Sequence, residues 1–118
     1  MKPTVYAYSG CDTCRNALKW LASQGIDAEI RPIRETPPSV QDLERAAAQL
    51  GGVKPLFNTS GGDYKELGLK DKLAGMTESD AIRLLASRGN LVKRPFVVSE
   101  GRYLVGFKDP SDWERFFA

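Results

Sequence analysis

A chain of 118 residues with 42% apolar and 27% charged side chains has the composition of one soluble globular domain. Its 17 basic and 15 acidic residues leave a net charge of +2, which gives no electrostatic reason to expect direct nucleic-acid binding or attachment to a membrane. No apolar run has the length of a membrane span and the N-terminus lacks a signal-peptide pattern, so the sequence predicts a cytoplasmic protein. No feature of the pattern suggests self-association, and we expect a monomer.

The first third of the chain predicts a strand, a helix and a second strand. Thr4–Tyr8 is expected to form the first strand and Thr13–Ser23 the helix, which is ended by Gly25. Ala28–Ile33 is predicted as the second strand. The two strands are parallel if the helix between them forms a right-handed crossover.

Both cysteines lie where the first strand gives way to the first helix. A Cys-x-x-Cys pair in this position is typical of a thioredoxin-like redox motif. Cys11 is expected at or beside the helix N-cap, where free backbone N–H groups and the helix dipole favour a thiolate. Cys14 is expected about one turn further in, close enough to attack a disulfide formed at Cys11. The spacing therefore predicts Cys11 as nucleophile and Cys14 as resolving thiol.

Three other roles for the cysteines make different demands on the sequence. Structural zinc usually takes four Cys or His ligands, whereas this chain has two cysteines and no histidine. A structural disulfide across so short a loop adds little stability. Two inert core thiols are the more serious alternative, because free cysteine is often buried. Gly10 and Asp12, which are turn and capping residues, argue against that alternative.

A mostly helical insert is predicted after the second strand, at about residues 39–90. Two of its helices are indicated by N-terminal capping pairs spaced three residues apart, Ser39 with Asp42 and Thr77 with Asp80. The segment between them, Val53–Gly75, is predicted to be irregular, with a short helical turn over Asp63–Leu69.

The C-terminal part predicts a β-hairpin followed by a last helix. The hairpin strands are expected at Phe96–Val98 and Tyr103–Val105. The last helix is expected to begin at the N-cap Asp109, with a core-facing stripe of three aromatic residues, Trp113, Phe116 and Phe117. Without the insert, this order is the βαβ–ββα arrangement of a thioredoxin fold, so we predict an α/β protein of that fold.

Pro95 directly precedes the third predicted strand. A thioredoxin fold carries a cis-proline at this place, facing the cysteines, and the cis form before proline costs only about 0.5–1 kcal/mol. From the sequence alone the trans form is the statistical default.

Four segments together resemble one family: C-D-T-C-R-N at Cys11–Asn16, Y-K-E-L-G-L at Tyr64–Leu69, R-P-F-V-V at Arg94–Val98 and V-G-F-K at Val105–Lys108. The chain resembles the arsenate reductase-like (ArsC) family over nearly its whole length, in particular the Spx/MgsR and YffB branches. The resemblance implies a thioredoxin fold with a helical insert, a nucleophilic Cys11 and an Arg94 that faces the cysteine loop. There a guanidinium would stabilise a thiolate or bind an oxyanion. The substrate is then expected to contact the residues beside these groups, namely Gly10, Asp12, Thr13, Arg15 and Pro95.

The chain departs from the arsenate-reducing members of the family at three places. Asn58 stands where one of their further arginines would be, and around another this chain has the segment that ends at Lys108. Cys14 stands where arsenate reductases with a single local cysteine have serine. An oxyanion held by Arg94, with at most Lys108 helping, would bind weakly, which disfavours arsenate reduction.

Three functions are compatible with the sequence. The favoured one is a thiol–disulfide oxidoreductase that acts on glutathione or a protein disulfide, with glutathione or thioredoxin as electron donor and no bound cofactor or metal. The first alternative is a redox-sensing transcriptional regulator of the Spx/MgsR type, which binds RNA polymerase rather than DNA. The second is a glutathione-dependent arsenate reductase that uses Cys11 and Arg94. The oxidoreductase and the regulator need the same dithiol, so the sequence leaves both functions open.

Overall fold

The computed structural model describes residues 2–118 and contains four strands and six helices within them. The strands are β1 (Thr4–Ala7), β2 (Glu29–Pro32), β3 (Phe96–Ser99) and β4 (Arg102–Val105). The helices are α1 (Asp12–Ser23), α2 (Val40–Leu50), α3 (Gly62–Glu66), α4 (Leu69–Lys72), α5 (Glu78–Ser87) and α6 (Pro110–Phe117). Three short 3₁₀ turns lie at Lys54–Leu56, Leu73–Gly75 and Gly89–Leu91.

The four strands form one mixed sheet in the order β2-β1-β3-β4. β1 pairs in parallel with β2 and antiparallel with β3, and β3 pairs antiparallel with β4. The hairpin turn between β3 and β4 has positive φ at both central residues, Glu100 and Gly101, which suits the twist of a tight two-residue connection. This topology confirms the predicted βαβ–ββα thioredoxin fold.

The sheet separates two apolar cores because successive side chains of a strand point to opposite faces. Val5 and Ala7 of β1 face α1 and α6, in a core that also contains Cys14 and Trp113. Tyr6 faces the opposite side, where the apolar residues of the helical insert cover the sheet. Cys14 is therefore anchored in the core between the sheet and α1, not on the surface.

The helical insert lies between β2 and β3, as predicted. Ser39 Oγ and Thr77 Oγ1 each accept a hydrogen bond of 3.1 Å from the backbone N–H three residues on, so both predicted N-caps are confirmed. The single turn predicted over Asp63–Leu69 is instead two short helices, α3 and α4. Gly68 separates them in a left-handed conformation with φ of 64°.

Side chains of α2 tie the insert to the hairpin. Tyr103 Oη donates a hydrogen bond of 2.7 Å to the Asp42 carboxylate. The Asp42 carboxylate therefore bonds the hairpin and does not return a capping hydrogen bond to Ser39. The Gln49 side chain donates to the carbonyl of Gly101 at 2.7 Å and accepts from the N–H of Tyr103 at 3.2 Å. The Gln49 amide thus hydrogen-bonds backbone groups of the hairpin at the β4 edge of the sheet.

None of the helices in residues 2–118 is long and apolar enough to cross a membrane.

Candidate active site around Cys11

Cys11 is the N-cap of α1, as the sequence predicted. Its backbone is extended, with φ of −103° and ψ of 120°, and its Sγ accepts a hydrogen bond of 3.5 Å from the Cys14 N–H. The Cys11 N–H donates to the Tyr8 carbonyl at 3.1 Å, which closes the turn between β1 and α1. Cys11 is half-buried, whereas Cys14, one turn further along the helix, is fully buried.

Arg94 reaches the same place from the start of β3. Tyr6 of β1 pairs with Phe96 of β3 in the antiparallel ladder, so the residues before β3 lie beside those that follow β1. The Arg94–Pro95 peptide bond is cis. The Arg94 guanidinium lies beside Cys11, where it lowers the pKa of that thiol, and its centre is 5.1 Å from the centre of the Tyr8 ring. Its Nη1 is buried and has no hydrogen-bond partner among the described residues.

The environments of the two thiols differ in their effect on ionisation. Partial burial acts to raise the pKa of Cys11. The hydrogen bonds from the Cys14 backbone, the Cys14 thiol and Arg94, together with the Arg94 charge, outweigh burial and lower that pKa below its ordinary value. Burial, the hydrogen bond with Cys11 and the Cys11 charge raise the pKa of Cys14 to about 12, against the opposing effects of the Tyr8 backbone and Arg94. Cys11 is the thiol that ionises first, and Cys14 keeps its proton.

A cleft of about 750 Å³ opens beside Cys11. Its charged lining residues are three cations, Lys93, Arg94 and Lys108, and one carboxylate, Asp112. Its opposite wall is the loop at residues 58–61 of the insert. That wall is held in place by pairing of Phe57 with Val92, because this bridge brings the insert loop next to the segment that carries Arg94.

The structure brings only part of the predicted substrate-contacting set to this cleft. Thr13 lines the cleft. The Asp12 carboxylate instead pairs with the Arg15 guanidinium, and both side chains are exposed outside the cleft lining. The carbonyl of Pro95 accepts a hydrogen bond of 2.8 Å from Gly106 N–H, so Pro95 fixes the cleft wall.

Gly10, also in that set, lies against the ring of Tyr8. A Cβ added at Gly10 would fall 2.7 Å from three atoms of the Tyr8 side chain. A larger residue at this position would therefore require the Tyr8 ring to move.

The site predicted from the sequence does not include Lys93 or the loop at residues 58–61. Lys93 precedes the motif that drew attention to Arg94, and its charge alone does not separate a cleft residue from a surface lysine. The loop joins the site only through the long-range bridge between Phe57 and Val92. Asn58, the residue that stands in place of an arginine, lines the cleft.

A thioredoxin fold with two cysteines at the N-terminus of its first helix defines the class of this protein. Residues 6–116 match the sequence model of the ArsC family, and the chain belongs to that family. It is 44% identical over 110 residues to YusI of Bacillus subtilis (strain 168), covering 92% of this chain and 93% of that protein.

Two further relatives are proteins with a stated role. The chain is 34% identical over 98 residues to an arsenate reductase of Escherichia coli, covering 81% of this chain and 67% of the reductase. It is 27% identical over 105 residues to the regulatory protein MgsR of Bacillus subtilis (strain 168), covering 88% of this chain and 82% of MgsR.

Among solved structures, an ArsC-family-related protein from Bacteroides fragilis is 47% identical to this chain. The two structures superpose with a TM-score of 0.90, over 98% of this chain and 97% of the other. The predicted resemblance to the ArsC family is therefore confirmed.

Proposed function

We propose that the protein is a thiol–disulfide oxidoreductase in which Cys11 is the nucleophile and Cys14 the resolving thiol. One observation carries the proposal. Two thiols one helical turn apart lie in opposite surroundings, Cys11 half-exposed beside Arg94 and Cys14 enclosed in the core. This difference gives each sulfur a separate task in a two-step exchange.

In the first step, the Cys11 thiolate attacks one sulfur of a substrate disulfide. The substrate S–S bond breaks, a mixed disulfide forms at Cys11, and the other substrate sulfur leaves as a thiolate that takes a proton from solvent. Arg94 and the Cys14 N–H hold the Cys11 thiolate before attack. The cations Lys93 and Lys108 in the cleft suit a substrate with carboxylates, such as glutathione disulfide.

In the second step, Cys14 loses its proton to solvent and its thiolate attacks the Cys11 sulfur of the mixed disulfide. The S–S bond between Cys11 and the substrate breaks as the Cys11–Cys14 disulfide forms, and the second substrate sulfur leaves as a thiolate that takes a proton from solvent. The substrate thereby gains two electrons and the protein loses two. The negative charge of Cys11 helps to hold the proton on Cys14 in the resting state. A mixed disulfide at Cys11 removes that charge. Burial then remains as the main obstacle, so Cys14 becomes the easier thiol to ionise only after the first step.

Glutathione or thioredoxin is the donor that we expect to return the protein to the dithiol. Two glutathione thiols, or one thioredoxin dithiol, supply the two electrons and are themselves oxidised to a disulfide. The cytoplasm, where such donors are kept reduced, is the fitting compartment.

A second candidate function is redox-sensing regulation of transcription through RNA polymerase, as its relative MgsR is a regulatory protein. Both functions use the same dithiol, but a regulator changes its binding to polymerase on oxidation and needs no turnover.

Arsenate reduction is a third candidate, favoured by the relative that is an arsenate reductase and by the unpartnered Nη1 of Arg94. The cleft has Asn58 where another arginine would help to hold the oxyanion.

The experiment compares wild-type protein with Cys14→Ser and Cys11→Ser variants. A model peptide disulfide is added with reduced glutathione and a coupled NADPH-dependent glutathione reductase. We expect wild type to consume NADPH continuously and faster than the same mixture without protein. With the peptide disulfide alone and no glutathione, we expect a mixed disulfide trapped on Cys11 in Cys14→Ser and no adduct in Cys11→Ser. Stoichiometric oxidation of wild type without turnover, combined with polymerase binding that depends on oxidation, would replace the oxidoreductase by the regulator. Turnover with arsenate but not with the peptide disulfide would favour the third candidate.

A further inference from the structure

Tyr8 connects several parts of the site, although its side chain forms no hydrogen bond with the Cys11 sulfur within residues 2–118. The Tyr8 carbonyl accepts a hydrogen bond of 3.1 Å from the Cys11 N–H, and the Tyr8 ring lies just beyond the end of β1. Two guanidinium groups lie over that ring, Arg94 at 5.1 Å and Arg34 at 4.7 Å from its centre. Gly10 approaches the same ring so closely that a Cβ at this position would displace the ring.

Arg94 has few other constraints on the direction of its guanidinium. Nη1 has no hydrogen-bond partner in residues 2–118, and no ion pair to a carboxylate is formed there. A long side chain with free rotamers loses entropy when it is held in one orientation, so it needs a partner to stay there. The face of an aromatic ring is such a partner for a planar guanidinium.

We propose that Tyr8 is a positioning residue whose ring holds the Arg94 guanidinium against the Cys11 sulfur, and that Gly10 lacks a side chain so that the ring can take this place. The inference rests on the proposed role of Arg94 in the function above. It assigns Gly10 a steric role and not a contact with substrate. Arg34 shares the ring but is not among the groups that act on Cys11.

The test is the rate and pH profile of alkylation of Cys11 by iodoacetamide, with the modified residue identified by peptide mass spectrometry. The ionisable or charged groups near Cys11 are Cys14, Arg94, the cleft residues Lys93, Lys108 and Asp112, the Asp12–Arg15 pair on its own helix, and the Tyr8 phenol with Arg34 over its ring. Tyr8→Leu removes only the phenol from this set and Gly10→Ala removes none of them. Because Tyr8→Phe controls for the phenol and Arg34→Gln for the second guanidinium, a change of the profile in Tyr8→Leu and Gly10→Ala reports on the position of Arg94.

Tyr8→Leu removes the aromatic face, and we expect alkylation at neutral pH to slow by about threefold to tenfold, with the profile moved to higher pH. Tyr8→Phe keeps the ring and is expected to stay within about twofold of wild type. Arg34→Gln, the matched control, removes a guanidinium from the same ring and is also expected to stay within about twofold.

Gly10→Ala perturbs the ring from the other side. The added Cβ meets the far end of the Tyr8 side chain, so the ring moves and the backbone stays in place. We expect the same slowing as in Tyr8→Leu, and no further slowing when the two changes are combined. This second variant keeps the test decisive if Tyr8→Leu fails to fold.

The remaining comparison uses an Arg94→Gln background. If Tyr8 acts through Arg94, Tyr8→Leu has no added effect there. Equal slowing in both backgrounds, or folded Tyr8→Leu and Gly10→Ala proteins with wild-type profiles, would overturn the inference. An unchanged profile in Arg94→Gln itself would instead remove Arg94 from the proposed function, which is a different result.

Discussion

Trp113→Phe is expected to destabilise the fold and loosen the cleft wall. Trp113 is 1% exposed, and its Nε1 donates a buried hydrogen bond of 2.9 Å to the carbonyl of Gly106. Phenylalanine cannot donate, so this carbonyl is left without its partner in the core. The indole also packs edge-on against the rings of Phe107 and Trp20, with distances between ring centres of 5.1 and 5.9 Å. The smaller phenylalanine ring would lose part of that packing.

The unpaired carbonyl and the smaller ring together give an expected loss of about 2–4 kcal/mol in the free energy of unfolding. The effect reaches the site because Gly106 lines the cleft and its N–H donates to the Pro95 carbonyl. Urea unfolding followed by circular dichroism measures the loss. Phe117→Leu is the control, since it removes a half-buried ring from the same cluster without breaking a recorded hydrogen bond. A Trp113→Phe loss no larger than that of Phe117→Leu would refute the role of the indole N–H.

Three further predictions concern the pH dependence of stability and two contacts between distant segments of the fold. The folded chain keeps the Cys14 proton up to a pKa of about 12, whereas the unfolded chain releases it near 9.0. The free energy of unfolding should therefore fall as pH rises above 9.0, and urea titrations at about pH 8 and about pH 10 should show a smaller fall in Cys14→Ser. Equal falls in the two proteins would contradict this assignment. Gly89→Ala should cost more than about 3 kcal/mol in urea unfolding, because its Cβ would lie 1.8 Å from the Ile33 carbonyl oxygen. A loss below about 1 kcal/mol would mean that this approach is not tight. Tyr103→Phe should cost about 1–2 kcal/mol through the lost bond to Asp42, whereas Tyr64→Phe, which breaks no recorded hydrogen bond, should cost less.

Local sequence signals predicted the parts of the fold that depend on neighbours in the chain. The capping residues Ser39 and Thr77 act over three residues, and their hydrogen bonds are those that the spacing predicts. The placement of Cys11 at the start of α1 follows from the same local rule. The order of strands and helices then left the thioredoxin fold as the arrangement that uses them all.

The candidate site was predictable only where one segment carries it. Cys11 and Cys14 lie in one helical turn, and Arg94 was identified through the family resemblance. The far cleft wall depends on the pairing of Phe57 with Val92. These residues lie far apart along the chain, and no local pattern specifies that they pair. The pairing of Asp12, a predicted substrate contact, with Arg15 one turn further on, and its exposure outside the cleft lining, were not predicted.

Tyr8 shows a different limit of sequence reasoning. An aromatic residue after three apolar ones extends the strand pattern, and the sequence placed Tyr8 inside the first strand. The strand ends at Ala7, and the ring of Tyr8 is used at the site instead. The contact of Gly10 with that ring could not be foreseen, since a glycine beside a turn already has a sufficient backbone explanation.

The central claim is that Cys11 and Cys14 form a reversible redox pair. The most direct test equilibrates wild-type protein in glutathione buffers of defined potential, quenches with acid and determines the state of both cysteines by intact mass and peptide mapping. The account predicts a single Cys11–Cys14 disulfide that forms and is reduced reversibly, with a midpoint near the cytosolic poise of about −220 to −320 mV. A stable glutathione adduct on Cys11 with Cys14 still free, or two thiols that stay reduced throughout, would contradict it.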